Sequence, residues 1–168
     1  MANPIKEQQD ILNKFNIQEL NPMQEEAISV IANTANTIIL SPTGTGKTLA
    51  FLLPLIQLLD ADIKEIQALI LVPSRELAIQ IEQVTRNMGS GFKTNAVYGG
   101  RAGAKDKVDL QHAPAILIGT PGRISDHLRR QTIDSSFIKT LVLDEFDKSL
   151  EVGFEVEMKE IMNFLPSL

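Results

Sequence analysis

The densest chemistry in the chain lies in eight consecutive residues, Ser41-Pro42-Thr43-Gly44-Thr45-Gly46-Lys47-Thr48. Gly44 and Gly46 let the backbone curl until its N–H groups point inward, the arrangement that cradles phosphate oxygens. A helix starting at the end of such a loop adds the positive end of its dipole. Lys47 would set a cation on the terminal phosphates, and Thr48 would offer a hydroxyl to magnesium. Ser41 stands where this type of loop usually begins with glycine, and it is small enough for the same turn. The bland alternative is a Gly/Thr-rich turn that happens to contain lysine. The setting argues against it: an apolar run, Thr37 to Leu40, leads in and a helical pattern leads out.

A second constellation supplies the acid such a loop needs. Leu141-Val142-Leu143 runs straight into Asp144-Glu145-Phe146-Asp147. Carboxylates at the end of an apolar strand cost desolvation energy unless a cation is close. Asp144 is expected to hold magnesium through water, and Glu145 to position or deprotonate an attacking water. Alone the pair is a weak signal; after a phosphate loop it reads as nucleotide hydrolysis. A metal cluster of another kind is not indicated, since the two histidines, His112 and His127, are far apart and there is no cysteine.

The elements that must position these residues alternate along the chain. Aliphatic runs at 37–40, 68–72, 96–98, 115–118 and 141–143 suit strands buried on both faces, as in a parallel sheet. Between them, Leu77, Ile81, Val84 and Met88 fall on one helical face, and Leu150, Phe154, Met158, Ile161 and Leu165 on another. The pattern predicts a single α/β domain over 1–168, a three-layer α/β/α arrangement with a mostly parallel sheet. At 168 residues, 43% hydrophobic and 22% charged, the chain can bury a core of its own. The run from Leu49 to Leu59 holds Pro54 and Gln57 and is about half the length of a membrane span, so it is read as a buried helix. The start, Met1-Ala2-Asn3-Pro4, has no apolar signal region, and a cysteine-free chain suits a reducing cytoplasm. With a net charge of −5, any nucleic-acid contact must come from local basic groups and backbone donors.

Several ordered motifs resemble the DEAD-box family of RNA helicases, and the resemblance covers nearly the whole chain. Gln24 in Asn21-Pro22-Met23-Gln24 resembles the adenine-recognising glutamine, whose carboxamide can pair with the N6 donor and N7 acceptor. Pro73-Ser74-Arg75-Glu76-Leu77-Ala78-Ile79-Gln80, Gly99-Gly100 and Thr120-Pro121-Gly122-Arg123 resemble the RNA-contacting motifs, and Asp144 to Asp147 occupies the place of the namesake tetrad. Gly153-Phe154 also matches. The resemblance implies a RecA-like ATP-binding domain using ATP and Mg2+. In such a domain residues 41–48 hold the nucleotide, Lys47, Asp144 and Glu145 serve catalysis, and Thr48 and Asp144 serve the metal. Arg75, Gly99, Gly100, Thr120, Gly122 and Arg123 would grip the RNA sugar-phosphate backbone without reading sequence. It further implies a second RecA-like domain in the same full-length chain, supplying arginine fingers and the other half of the grip, a cytoplasmic location and no membrane.

The sequence departs from the family in three places. Phe146 replaces the usual alanine, so a ring must pack into the core or crowd the acidic residues. Glu7 holds a position where an aromatic usually stacks on adenine. The strand that would carry Ser-Ala-Thr is expected just beyond Leu168, central in the sheet beside the phosphate-loop strand. The sheet is therefore expected to show a gap or an exposed edge, and the chain to be less stable than a longer domain or to pair with another. Weak nucleotide binding, very slow hydrolysis and no unwinding are expected of these residues alone. Two rival readings are a DNA translocase or helicase and a non-enzymatic RNA-binding scaffold. Gln24 and residues 73–78 argue against the first; intact Lys47, Thr48, Asp144 and Glu145 argue against the second.

Overall fold

In the computed structural model, residues 7–100 and 102–167 are described. Four short strands form one sheet: β1 (Ala68–Leu71), β2 (Thr94–Val97), β3 (Ile116–Gly119) and β4 (Thr140–Leu143), in the order β2-β3-β1-β4. Every pairing is parallel, so each strand returns through a helix: α4 (Arg75–Met88), α5 (Gly103–Asp109) and α6 (Pro121–Arg129). Before β1 come α1 (Gln8–Lys14), α2 (Pro22–Asn33) and α3 (Lys47–Leu58); after β4 come α7 (Phe146–Val152) and α8 (Glu155–Phe164).

Alternation along the strands creates two cores. Ile70, Ile116 and Ile118 face one side, against α1, α3 and α4 through Leu12, Leu52, Ile56, Ile81 and Met88. Leu69, Leu71 and Leu117 face the other, against Ile124 and Leu128 of α6 and Met158 and Ile161 of α8. This is the three-layer α/β/α arrangement expected from the sequence. Completely buried side chains such as Ile70 and Leu117 each stabilise it by roughly 1.5–3 kcal/mol. The run read as a buried helix is α3, buried from Ala50 to Ile56. The α6–α8 layer is pinned by Ser125 donating to Glu160 and by Arg129 at 3.3 Å from the same carboxyl group.

The outer edge of β2 is closed by side chains rather than by a strand. Glu82 accepts from the Ala96 N–H at 3.1 Å, and Arg86, paired with Glu82, donates to the Thr94 carbonyl at 3.4 Å. Charged groups spent in this way block strand addition. On the opposite edge, among the described residues, β4 has no such cover; Thr140, Leu141 and Val142 are half-buried, and Leu143 is exposed.

Two expectations fail here. Thr37–Leu40 is not a strand: it pairs with none of the four, and Ile38 and Leu40 are 87% and 92% exposed. A β-rich composition cannot order a segment whose backbone groups find no neighbour, and β4, the open edge, does not pair with it. Leu150 is likewise exposed, because α7 presents most of its surface outward, whereas Met158 and Ile161 of the same predicted stripe are buried.

Candidate functional site

Because all four strands are parallel and in step, their carboxyl ends share one rim: Leu71 lies opposite Gly119 and Leu143, and Val97 opposite Gly119. Ligands of open α/β sheets bind along such a rim. Every strand delivers a candidate segment there. Arg75 follows β1, Gly99-Gly100 follow β2, Thr120–Arg123 follow β3, and Asp144-Glu145 follow β4. The ladder continues into these segments, with Asp144 N–H donating to Leu71 O at 3.0 Å, Val72 N–H to Gly119 O at 3.0 Å and Thr120 N–H to Val97 O at 3.3 Å. The backbone itself sets their spacing.

The candidate phosphate loop leads from the 37–40 segment, whose Ile38 and Leu40 are exposed, into α3, which starts at Lys47. Gly44 and Gly46 both have positive φ, +83° and +87°, a conformation that costs other L-residues energy. The loop is closed on itself: Lys47 Nζ donates to the Ser41 carbonyl at 2.6 Å, Thr45 Oγ1 to the Pro42 carbonyl at 2.8 Å, and the Ser41 and Thr45 hydroxyls are 2.5 Å apart. The lysine ammonium therefore rests on an oxygen of its own loop.

Gln24 and Asn21 brace this loop from α2. Their reciprocal bonds form a capping box, the Gln24 N–H donating to Asn21 Oδ1 at 2.9 Å and the Asn21 N–H to Gln24 Oε1 at 3.0 Å. The same side chains reach across: Gln24 Nε2 donates to the Gly46 carbonyl at 3.1 Å and Asn21 Nδ2 to the Thr45 carbonyl at 3.0 Å. Gln24 is buried, and one donor and one acceptor site of its carboxamide are taken by the protein. The bracing role of Asn21 was not read from the sequence, although an Asn three residues before a Gln is the signal for such a box.

Asp144 and Glu145 close the rim at β4. Burial raises the Asp144 carboxyl above its usual range, with the Glu145 charge adding to the effect; the Glu145 N–H and the Lys47 charge pull it partly back. Glu145 has φ +49°, a left-handed conformation rare for a non-glycine residue. Such strain collects at functional positions. Phe146 starts α7, 45% exposed and in neither buried cluster, so the ring has not packed into the core.

Among the RNA-contact candidates, Arg75 is exposed, and Glu76 lies beside it at 3.2 Å. Gly99 and Gly100 are exposed, with open space around them. Thr120 caps α6 by position, without a side-chain cap bond, and Gly122 is half-buried in its first turn. Arg123 turns inward to Asp106, a completely buried carboxylate that the sequence reading passed over. Gly119 was missed too: a Cβ there would lie 2.7 Å from Ile124 and 2.8 Å from the Val97 carbonyl, so only glycine lets α6 start so close to the sheet. A cavity of about 80 Å³ lies at the other end of the strands, lined by Ile66, Leu110 and Pro114, away from all these groups.

Comparison with known proteins agrees with this geometry. A DEAD/DEAH box helicase domain matches residues 21–167. The chain is 39% identical over 160 residues to the ATP-dependent RNA helicase DeaD of Escherichia coli (strain K12), covering 94% of this chain and 25% of that protein. It is 39% identical over 157 residues to the ATP-dependent RNA helicase CshA of Limosilactobacillus reuteri, covering 92% and 32%. It is 36% identical over 159 residues to the ATP-dependent RNA helicase DbpA of Escherichia coli (strain K12), covering 93% and 35%. The chain thus spans between a quarter and about a third of these relatives' lengths. With an acidic pair and three further loops on one rim and a family match across most of its length, the chain belongs to the DEAD/DEAH box helicase family.

Proposed function

We propose that these residues are the N-terminal ATP-binding domain of an ATP-dependent RNA helicase, whose full-length form hydrolyses ATP and separates short RNA duplexes. The observation that carries this reading is the shared rim, where the acidic and backbone-gripping segments meet at the carboxyl ends of parallel strands, with the charge of Lys47 in the phosphate loop felt at Asp144. Residues 41–48 hold the triphosphate, with Lys47 leaving the Ser41 carbonyl for the terminal phosphates. Gln24 keeps one amide hydrogen and one lone pair uncommitted to the bonds described, the complement of the adenine N7 and N6 positions.

The donor set fits magnesium. Thr48 and Asp144 offer two hard oxygens, and among the described residues no group of three or more acidic or histidine side chains could form a cage. Magnesium is typically held this way, by one or two protein oxygens with phosphates and water completing the shell. When bound, the ion would neutralise charge on the phosphates. Glu145 orients or deprotonates the attacking water from its strained position after β4.

Arg75, Gly99, Gly100, Thr120, Gly122 and Arg123 grip the RNA backbone. The exposure of Arg75 and of the Gly99-Gly100 backbone supports this, and contacts to phosphate and sugar suit a domain of net charge −5. A second RecA-like domain of the same full-length chain completes the site, and the protein works in the cytoplasm. No helix among the described residues is long and apolar enough to cross a membrane. The test is ATP hydrolysis by the full-length protein with single-stranded RNA or DNA of matched sequence. Stimulation by RNA alone is expected; stimulation by DNA alone would assign the chassis to a DNA translocase.

A further inference from the structure

Asp106, in α5, is completely buried, an unusual place for a carboxylate. Arg123 donates to its Oδ2 from Nε at 2.8 Å, and its NH2 lies 2.8 Å from the same oxygen. His127 brings Nε2 to 3.0 Å from the same oxygen, and its Nδ1 lies 2.7 Å from Thr132 Oγ1. The other arm of the guanidinium, NH1, is 3.7 Å from Asp126. Gly103, the first residue of α5, sits against the same group: a Cβ there would be 3.5 Å from NH2.

A buried ion pair is a costly way to hold two helices together, since apolar packing of the same volume does the work as well or better. Its value lies in geometry. α5 begins just after the Gly99-Gly100 turn, and Arg123 lies in the first turn of α6. The Asp106 carboxylate therefore ties the loop after β2 to the loop after β3, and it fixes the guanidinium that links them. Arg123 stays 21% exposed, so it is anchored from inside while part of it faces solvent.

We propose that Asp106 is a positioning residue of the RNA grip: held by Arg123 and His127, it sets the spacing between the Gly99-Gly100 turn and the start of α6. This rests on the RNA-helicase reading above. An arginine already held in place loses less freedom when RNA arrives, which favours affinity rather than turnover.

The test is RNA-stimulated ATP hydrolysis by the full-length protein at saturating Mg-ATP, titrated with single-stranded RNA, for wild type, Asp106→Asn, Arg123→Lys and the double variant. Asp106→Asn should raise the RNA concentration for half-maximal stimulation about tenfold, the scale of one hydrogen bond to a charged group. The rate at saturating RNA should stay within about twofold of wild type. The double variant should be little worse than the worse single one, the sign of a shared pathway. A folded Asp106→Asn protein with wild-type half-saturation would overturn the proposal, leaving Asp106 a purely structural group. Should Asp106→Asn not fold, His127→Leu removes one partner from the same carboxylate. A rise of about two- to threefold in half-saturation is then expected, and no rise overturns the proposal. Wild-type protein without RNA stimulation would instead remove the helicase reading, and this inference with it.

Discussion

The side-chain amide of Gln24 donates to the carbonyl oxygen of Gly46 across 3.1 Å, which joins the amino end of α2 to the phosphate loop. Asn21 makes the parallel link to Thr45. The segment assigned to the base and the segment assigned to the phosphates are therefore one unit, so a disturbance at either should be felt at both.

Gly46→Ala tests that unit. A Cβ at Gly46 would collide with the Gln24 amide, and φ of +87° is already unfavourable for alanine. The variant should lose about 1–2 kcal/mol of stability and bind adenine nucleotide at least about tenfold more weakly. Urea unfolding followed by fluorescence titration checks both. Unchanged binding would show that the link between the two segments is incidental.

Asp144 should trade stability for function. Its carboxyl is raised by burial and by the Glu145 charge, so the folded state holds this proton more tightly than the unfolded chain does. The sign follows: as pH rises from the ordinary aspartate range through the raised value, the folded state loses stability from this group. Asp144→Asn removes that penalty. Its melting temperature without metal at pH 7 should rise by about 1–3 °C, the response of a domain this size to a change of up to about 1 kcal/mol, while magnesium-dependent nucleotide binding falls. A lower melting temperature would contradict the electrostatic account.

Arg75 and Arg123 should separate by stability. Arg75 makes an exposed pair with Glu76, the kind worth about 0–1 kcal/mol. Arg75→Ala should leave unfolding within about 0.5 kcal/mol of wild type, while the salt dependence of RNA binding by the full-length protein falls by about 0.7 in slope. Arg123→Ala strips a partner from buried Asp106 and should cost about 3–5 kcal/mol. Thermal melts of the two variants side by side give the comparison.

Phe146 departs from the family pattern without having entered the core. With the ring at the surface in neither buried cluster, Phe146→Ala should change stability by less than about 1 kcal/mol and leave nucleotide binding intact. A loss of 3 kcal/mol or more, about the cost of truncating a buried phenylalanine, would mean that the ring is packed.

The local parts of this molecule were legible because local rules govern them. The glycine spacing at 44 and 46 announced a loop with positive φ, and the stripe from Leu77 to Met88 announced the inner face of α4. What escaped depends on partners distant in sequence. Thr37–Leu40 has strand composition, yet a strand is a pairing, and no described strand lies beside it. Asp106 reads as a surface residue between Lys105 and Lys107; only the fold brings Arg123 and His127 onto it. Gly119 looks like the end of a strand, and its need to be glycine comes from Ile124 and the neighbouring Val97 carbonyl.

The central claim, a working phosphate loop at residues 41–48, is tested most directly by titrating the chain with a fluorescent adenine nucleotide in magnesium, beside Lys47→Ala. The account predicts weak but saturable binding by the wild type, lost in the variant, because Lys47 can leave the Ser41 carbonyl for phosphate. Equal binding by both proteins would contradict it and place the nucleotide elsewhere on the molecule.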